Sequence, residues 1–429
     1  MTDDSGRLPR LLGGLDGGRA VTLTEHHDRL GSVSRLDPAD LLAELAQSGL
    51  RGRGGAGFPV AAKIRAVTAG PAPRTLVANG AEGEPASRKD RLLMSRAPHL
   101  VLDGAALAAE LIGAEDAIVC VKAGSTKAMA AMLTAVQERD DLGIDDVEVA
   151  VCEVPADYVA GEETALVHQL NAGDARPTFI PRRPFESGVG GRPTLIQNTE
   201  TLAHIALIAR FGAKWFRQLG TEEDPGSVLI TLSGGVARPG VYEIAAGTRL
   251  GSLIEAAGGP GDPLQAILLG GYAGRWFGVE EALQLPLGHQ GLRALGGTLG
   301  PGVVIALPRG ACGVAETAAV VRYLARESSG QCGPCVHGLS AIAEAMDDIA
   351  TGHGPPGTRD WVARWCDDVT GRGACHHPDG AARLVSSCLE VFADEIDRHE
   401  DGRACIPPPA LTGLLPVQRE SRDLTASAR

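Results

Sequence analysis

Between about Leu41 and Phe216, strand-like apolar runs alternate with Ala/Leu-rich stretches at helical spacing. The runs are "RTLVANG", "DAIVCVKAG" and "DVEVAVCEV"; the helical stretches include "HLVLDGAALAAELIGA" and "STKAMAAMLTAVQERD". This pattern predicts an α/β layer. Residues 226–259 then read strand, turn, strand, helix, with Arg238-Pro239-Gly240 at the turn, and "AILLGG" and "GVVIALP" add further strands. That order predicts a small β-grasp unit, one helix on a mixed sheet. After Gly310 four segments carry apolar residues at helical spacing: "VAETAAVVRYLARE", "GLSAIAEAMDDIATG", "TRDWVARWCDDVTG" and "AARLVSSCLEVFADEIDRH". Such stripes bury best against one another, so a helical bundle is expected. The predicted organisation is an N-terminal extension (1–40), an α/β domain (41–222), a β-grasp domain (223–308), a bundle (309–404) and a Pro-rich tail (405–429), expected to be loosely ordered.

Composition narrows the function. The chain has 429 residues and a net charge of −13, so it lacks the basic footprint that nucleic-acid binding requires. No apolar run approaches the roughly 20 residues of a membrane helix. The start, "MTDDSGRLPR", has no signal-peptide core, and a cytoplasmic protein without direct membrane insertion is expected. Four of the nine cysteines, Cys332, Cys335, Cys366 and Cys375, crowd into one C-terminal span, which points to a metal rather than a disulfide framework.

The chemistry-bearing stretches lie in loops. "SGLRGRGGAGFP" (48–59) holds five glycines, so its backbone can approach a flat ring or a phosphate closely. "NGAEGEPASRKDR" follows a strand and brings Asn79, Glu82 and Glu84 into a polar loop, where α/β folds bind ligands. "DYVAGEETALV" sets Tyr158, Gly161, Glu162 and Glu163 ahead of a helix, and "RPTLIQNTETLAH" sets Gln197, Asn198 and Thr201 at another helix start. Acidic and short polar residues there serve equally as helix caps. Cys332 and Cys335 form C-x-x-C in the loop between two predicted bundle helices, with Cys375 in the next loop. Three thiolates at one end of a bundle suit an iron–sulfur cluster or zinc. Cys366, Cys388, Cys120 and Cys152 read as small buried hydrophobes.

Taken in order, "GLRGRGGAGFP", "NGAEGEP…KDR", "YVAGEETAL", "RPTLIQNTETLA", "SGGVARPGVYE" and "ESSGQCGPC" resemble the NADH- and FMN-binding flavoprotein subunit of respiratory complex I, over roughly residues 20–400. Related subunits occur in NAD-linked hydrogenases and formate dehydrogenases. The resemblance implies a Rossmann-like FMN/NADH-binding α/β domain and a flavin cradle from Gly52, Arg53, Gly54, Gly55, Ala56 and Gly57. Lys63, Asn79, Glu82, Tyr158, Gly161, Glu162, Glu163, Ile196, Gln197, Asn198 and Thr201 would complete it. Phe58, Glu84, Glu163, Arg182 and Phe185 would fall on the NAD(H) side, with Glu84 and Glu163 at the catalytic centre. Hydride transfer from nicotinamide to flavin is implied, with no protein acid or base required. Single electrons would pass to a 4Fe–4S or 3Fe–4S cluster on Cys332, Cys335 and Cys375, with Ser329 where the family has a fourth cysteine. His376, His377 and Cys312 are alternative fourth ligands. Other departures are Ala81 for an Asp, Gly83 for a Ser and Ala66 for an aromatic residue. The expected function is a soluble NADH-dependent FMN oxidoreductase feeding a ferredoxin-like carrier or a redox complex. The alternative is a scaffold that kept the fold without oxidising NADH.

Overall fold

The structure is a computed structural model that describes residues 8–15, 18–33, 36–179, 182–403 and 405; the Pro-rich tail after Cys405 lies outside them. Three helices precede the first strand: α1 (Leu23–Leu30), α2 (Pro38–Ser48) and α3 (Val60–Thr68). Strands β1 (Arg74–Gly80), β2 (Ala114–Lys122), β3 (Glu148–Val154) and β4 (Thr194–Asn198) then form an all-parallel sheet in the order β3-β2-β1-β4. β1 is central and buried on both faces, which is why it reads as a nearly continuous apolar run. The crossovers are α4 (Lys89–Arg96) with α5 (Pro98–Ile112), then α6 (Thr126–Asp140), then α7 (Glu163–Ala172); α8 (Thr199–Phe216) follows β4.

The expected N-terminal extension is tied to this layer. Leu11 is fully buried in its core, and His26 of α1 meets Asp103 of α5 at 2.7 Å. The same carboxylate also takes Arg139 and Arg210. Three partners satisfy a charge that burial alone would penalise, and they hold the Asp103 carboxyl well below its ordinary range.

The second unit is a mixed five-stranded sheet in the order β6-β5-β9-β7-β8. It contains β5 (Ser227–Gly234), β6 (Gly240–Ala245), β7 (Leu264–Leu269), β8 (Arg275–Gly278) and β9 (Val303–Pro308), with α9 (Leu250–Ala256) on one face. β5 and β9 pair in parallel and the other pairs are antiparallel, as a β-grasp requires. Two short helices, α10 (Val279–Ala282) and α11 (His289–Arg293), lie between β8 and β9. Side-chain alternation divides the sheet cleanly. Ile267, Leu269, Phe277, Val304 and Ala306 pack in the core shared with α9. Leu268, Trp276, Val303, Ile305 and Leu307 face the other way, into the core of the helical region.

That region comprises α12 (Gly313–Arg326), a π-turn at Pro334–Leu339 running into α13 (Ser340–Thr351), α14 (Thr358–Val369), α15 (His377–Val391) and α16 (Ala393–Glu400). The fourth expected helix is thus two. The break falls at Phe392, whose ring occupies the space where any Cβ on Gly313 would sit and stacks edge-on against Trp276 at 5.2 Å. Among the described residues no helix is long and apolar enough to cross a membrane.

Candidate functional site

A cavity of about 810 Å³ opens at the C-terminal ends of β1 and β4, where a parallel sheet leaves room for a ligand. All three units wall it. The glycine loop contributes Gly54, Gly55 and Ala56; the loops after β1 and β3 contribute Asn79, Glu82, Glu84, Tyr158, Gly161 and Glu162. The loop before β9 adds Thr298, Gly300 and Pro301, and the head of α15 adds Cys375, His376 and Arg383.

The glycine loop is pinched shut at its base. Arg51 bridges Pro59, and the Gly52 N–H donates to the Phe58 carbonyl at 2.9 Å. Gly55 has φ +119°, which a side chain would strain, and a Cβ on Gly57 would lie 2.6 Å from the His289 ring. Only Gly54, Gly55 and Ala56 of the loop line the cavity, and they offer backbone and a single methyl group. Arg53, an expected ligand, turns away: it is 6 % exposed, its N–H donates to Thr201 Oγ1 at 2.9 Å, and its guanidinium reaches the Pro225 carbonyl.

The polar wall is built from helix starts. Glu162 caps α7, accepting the N–H groups of Thr164 and Ala165 at 3.0 Å each, and Asn198 caps α8 through the Glu200 N–H. Both capping residues also line the cavity. Asn79 donates to the Gly161 carbonyl at 2.9 Å, joining the β1 loop to the turn before α7. Gln197 and Ile196 are buried behind this wall, and Gln197 Nε2 has no hydrogen-bond partner. Lys63 and Glu163 form an ion pair with each other, and neither is part of the cavity wall. Phe58 is exposed and Phe185 packs against the α/β core; neither reaches the wall. Phe179 and Arg182 do reach it.

Two carboxyls in the wall are held out of water. Glu84 accepts the Tyr272 N–H at 2.9 Å and the Tyr158 hydroxyl at 3.3 Å, and burial raises its pKa to about 7. Glu82 is also pushed up, by burial and then by neighbouring Asp90, despite hydrogen bonds from Ser87 and the Asp90 N–H. The glycine at position 83 has a steric reason: a Cβ there would sit 2.3 Å from the Tyr158 carbonyl oxygen.

At the bundle end, Cys332 precedes the π-turn, Cys335 lies within it and Cys375 stands just before α15. The three thiols are neighbours. Burial, then Cys332 and Cys375, push Cys335 up to about 12; burial also raises Cys375, against the His377 N–H that stabilises its thiolate. Ser329 sits in the coil ahead of Cys332. Of the alternative fourth ligands, His377 Nε2 is engaged with the Leu324 carbonyl at 2.8 Å and His376 with Asp379 at 2.9 Å. Cys312 lies at the opposite end of α12, a helix of 14 residues and so about 20 Å long.

Sequence reasoning missed Phe179, Arg183, Gly300 and Arg383 at the cavity. They come from loops and a second unit, and no local spacing ties them to the glycine loop. A larger cavity, about 1090 Å³, lies beside α4 and α6 and contains none of the expected site residues.

Known proteins align along this whole arrangement. Residues 45–207 match the Nuo51 FMN-binding domain, 229–271 the SLBB domain, and 315–399 the NADH-ubiquinone oxidoreductase-F iron-sulfur binding region. An NADH-quinone oxidoreductase subunit of Streptomyces coelicolor is 33% identical over 90% of this chain and 88% of its own. The corresponding Escherichia coli protein is 30% identical over 89% and 90%. A crystal structure of an NAD+-reducing NiFe hydrogenase in the air-oxidised state superposes with TM-score 0.81 and 30% identity, covering 97% of this chain and 72% of that one.

Proposed function

The chain belongs to the NADH-quinone oxidoreductase-F family, and from that premise we propose that the cavity of about 810 Å³ is where its FMN and NADH meet. When bound, FMN accepts the hydride of NADH and passes the electrons singly to the iron–sulfur cluster. The observation that carries the reading is one wall shared by the glycine loop and Cys375, which sets the flavin cradle beside a cluster ligand.

The residues fit such a guest. Gly54, Gly55 and Ala56 present backbone and one methyl group against which a ring system can lie, and the start of α8 favours a phosphate. Asn79 and Asn198 supply amides at the strand ends, and Glu82 is fixed by its hydrogen bonds so that it orients without moving. Glu84, on the wall, is assigned to the catalytic centre; Glu163, off the wall and paired with Lys63, is assigned a positioning role. Cys332, Cys335 and Cys375 hold the cluster, with Ser329 offering the weakest ligand because an alkoxide is far more basic than a thiolate. The acceptor is a redox partner within a complex or a ferredoxin-like carrier.

Anaerobically purified protein reconstituted with FMN and iron should show flavin absorption that bleaches with NADH, followed by a reduced-cluster paramagnetic signal. Gly54→Val, which pushes a side chain against Asn198, should lose flavin and keep iron. Cys375→Ala should lose iron and keep a flavin that bleaches. Flavin retained in Gly54→Val, or a wild-type flavin indifferent to NADH, defeats the proposal.

A further inference from the structure

At the far end of α12 from the cluster cysteines, a second group of ligands converges. Cys312 caps α12, Glu395 and His399 lie one turn apart on α16, and Cys405 follows that helix; their four donor atoms all lie within 4.8 Å of one another. Cys312, Glu395 and His399 are buried. Cys312 Sγ is 3.7 Å from His399 Nε2, and Cys405 Sγ is 3.3 Å from the same nitrogen. A tetrahedral zinc ion with ordinary Zn–S and Zn–N bonds sets that sulfur–nitrogen edge at about 3.6 Å. The sulfur of Cys312 and the carboxylate of Glu395 are closer still, at 2.7 Å.

The surroundings orient each donor as a metal site requires. His399 Nδ1 lies 3.2 Å from the Ile349 carbonyl, so Nδ1 carries the proton and Nε2, beside both sulfurs, keeps a lone pair that accepts the Cys405 N–H at 3.3 Å and that a metal would take instead. Gln265 of β7 holds the outer oxygen of Glu395 at 2.9 Å, leaving Oε1 turned inward. The N–H groups of Val314 and Ala315, at the N-terminus of α12, are aimed at Glu395 Oε1 and Cys312 Sγ.

We propose that Cys312, Glu395, His399 and Cys405 form a structural zinc site, separate from the iron–sulfur cluster. Four protein ligands leave no open position, so the ion is structural rather than catalytic. Binding releases the two thiol protons, and two thiolates, a carboxylate and a neutral imidazole leave a net charge of −1 that the α12 N–H groups partly offset. Zinc would fasten the chain after α16 to the head of α12 and, through Gln265, to the β-grasp sheet.

The test is metal analysis of the full-length protein. About one zinc per chain should accompany the iron, and cobalt(II) loaded in its place should give the strong near-ultraviolet thiolate band and visible bands of a tetrahedral site. His399→Ala and Cys405→Ser should lose the zinc and retain iron, whereas Cys375→Ala should do the reverse. Wild-type protein without zinc whose cobalt adduct lacks a thiolate band overturns the proposal. So does a Cys312–Cys405 disulfide in wild type, or zinc that is lost with Cys375 and kept in the Cys405 variant.

Discussion

Glu84 is almost fully buried at the cavity wall, and its pKa of about 7 against an ordinary 4.5 is a statement about stability as well as chemistry. A carboxyl whose folded-state pKa is raised binds its proton more tightly when folded. Its contribution to stability is therefore complete below about pH 4.5 and is lost as pH rises through about 7. Glu84→Gln removes that dependence. The stability of wild type relative to this variant should fall by about 2–3 kcal/mol between pH 5 and pH 8, read from urea melts of the flavin-free protein. Parallel pH profiles for the two proteins would assign the titration elsewhere. Ser329 gives a second prediction at this scale. If its hydroxyl faces the labile corner of the cluster, air oxidation should yield a three-iron signal in wild type, and Ser329→Cys should retain the fourth iron several-fold longer. Equal lifetimes would remove Ser329 from the ligand set.

At the scale of elements, α5 and α8 approach each other closely. A Cβ on Gly104 would lie 1.9 Å from the Leu202 carbonyl oxygen, so the two helices meet backbone to backbone and α8 is held over the sheet with its cap Asn198 at the cavity. Gly104→Ala must force them apart. Overpacking of this kind costs about 1–3 kcal/mol or more, and the variant should melt several degrees below wild type and bind FMN more weakly. An unchanged melting temperature would mean the contact relaxes freely. The same elements show what could be read in advance. β1 coincides with "RTLVANG" and α6 with "STKAMAAMLTAVQERD", because local pattern and burial agree there. β8 escaped notice: it is four residues long, and both its faces are buried, in two different cores, so it shows no alternation. The split at Phe392 was invisible because its cause, Gly313, is 79 positions earlier in the chain. Motif resemblance placed Arg53 and Phe185 at the ligand, yet packing turns one towards Pro225 and the other into the α/β core.

The whole molecule carries a net charge of −13, yet the cavity is edged by Arg182 and Arg183 from the loop after α7 and Arg383 from α15. An acidic protein must draw in NADH, whose pyrophosphate bears two negative charges, against its own long-range field. A local cationic rim does so over distances shorter than the Debye length, about 8 Å at physiological salt. Arg383 is held by the Ala273 carbonyl at 2.7 Å and so joins the bundle to the β-grasp unit, whereas Arg182 is exposed. Reversing the charge at Arg182 therefore separates binding from chemistry. Arg182→Glu should raise the KM for NADH roughly five- to tenfold at low ionic strength while kcat changes less than about twofold, and the gap should narrow steadily as salt is added. Arg238→Glu, on the β5–β6 turn and outside the cavity wall, carries the same change in net charge and should leave KM near the wild-type value. If both variants raise KM equally, the overall field of the protein governs NADH capture and the rim does not. If kcat falls with KM unchanged for Arg182→Glu, the arginine acts after binding, and the cavity mouth must be assigned to another side of the molecule.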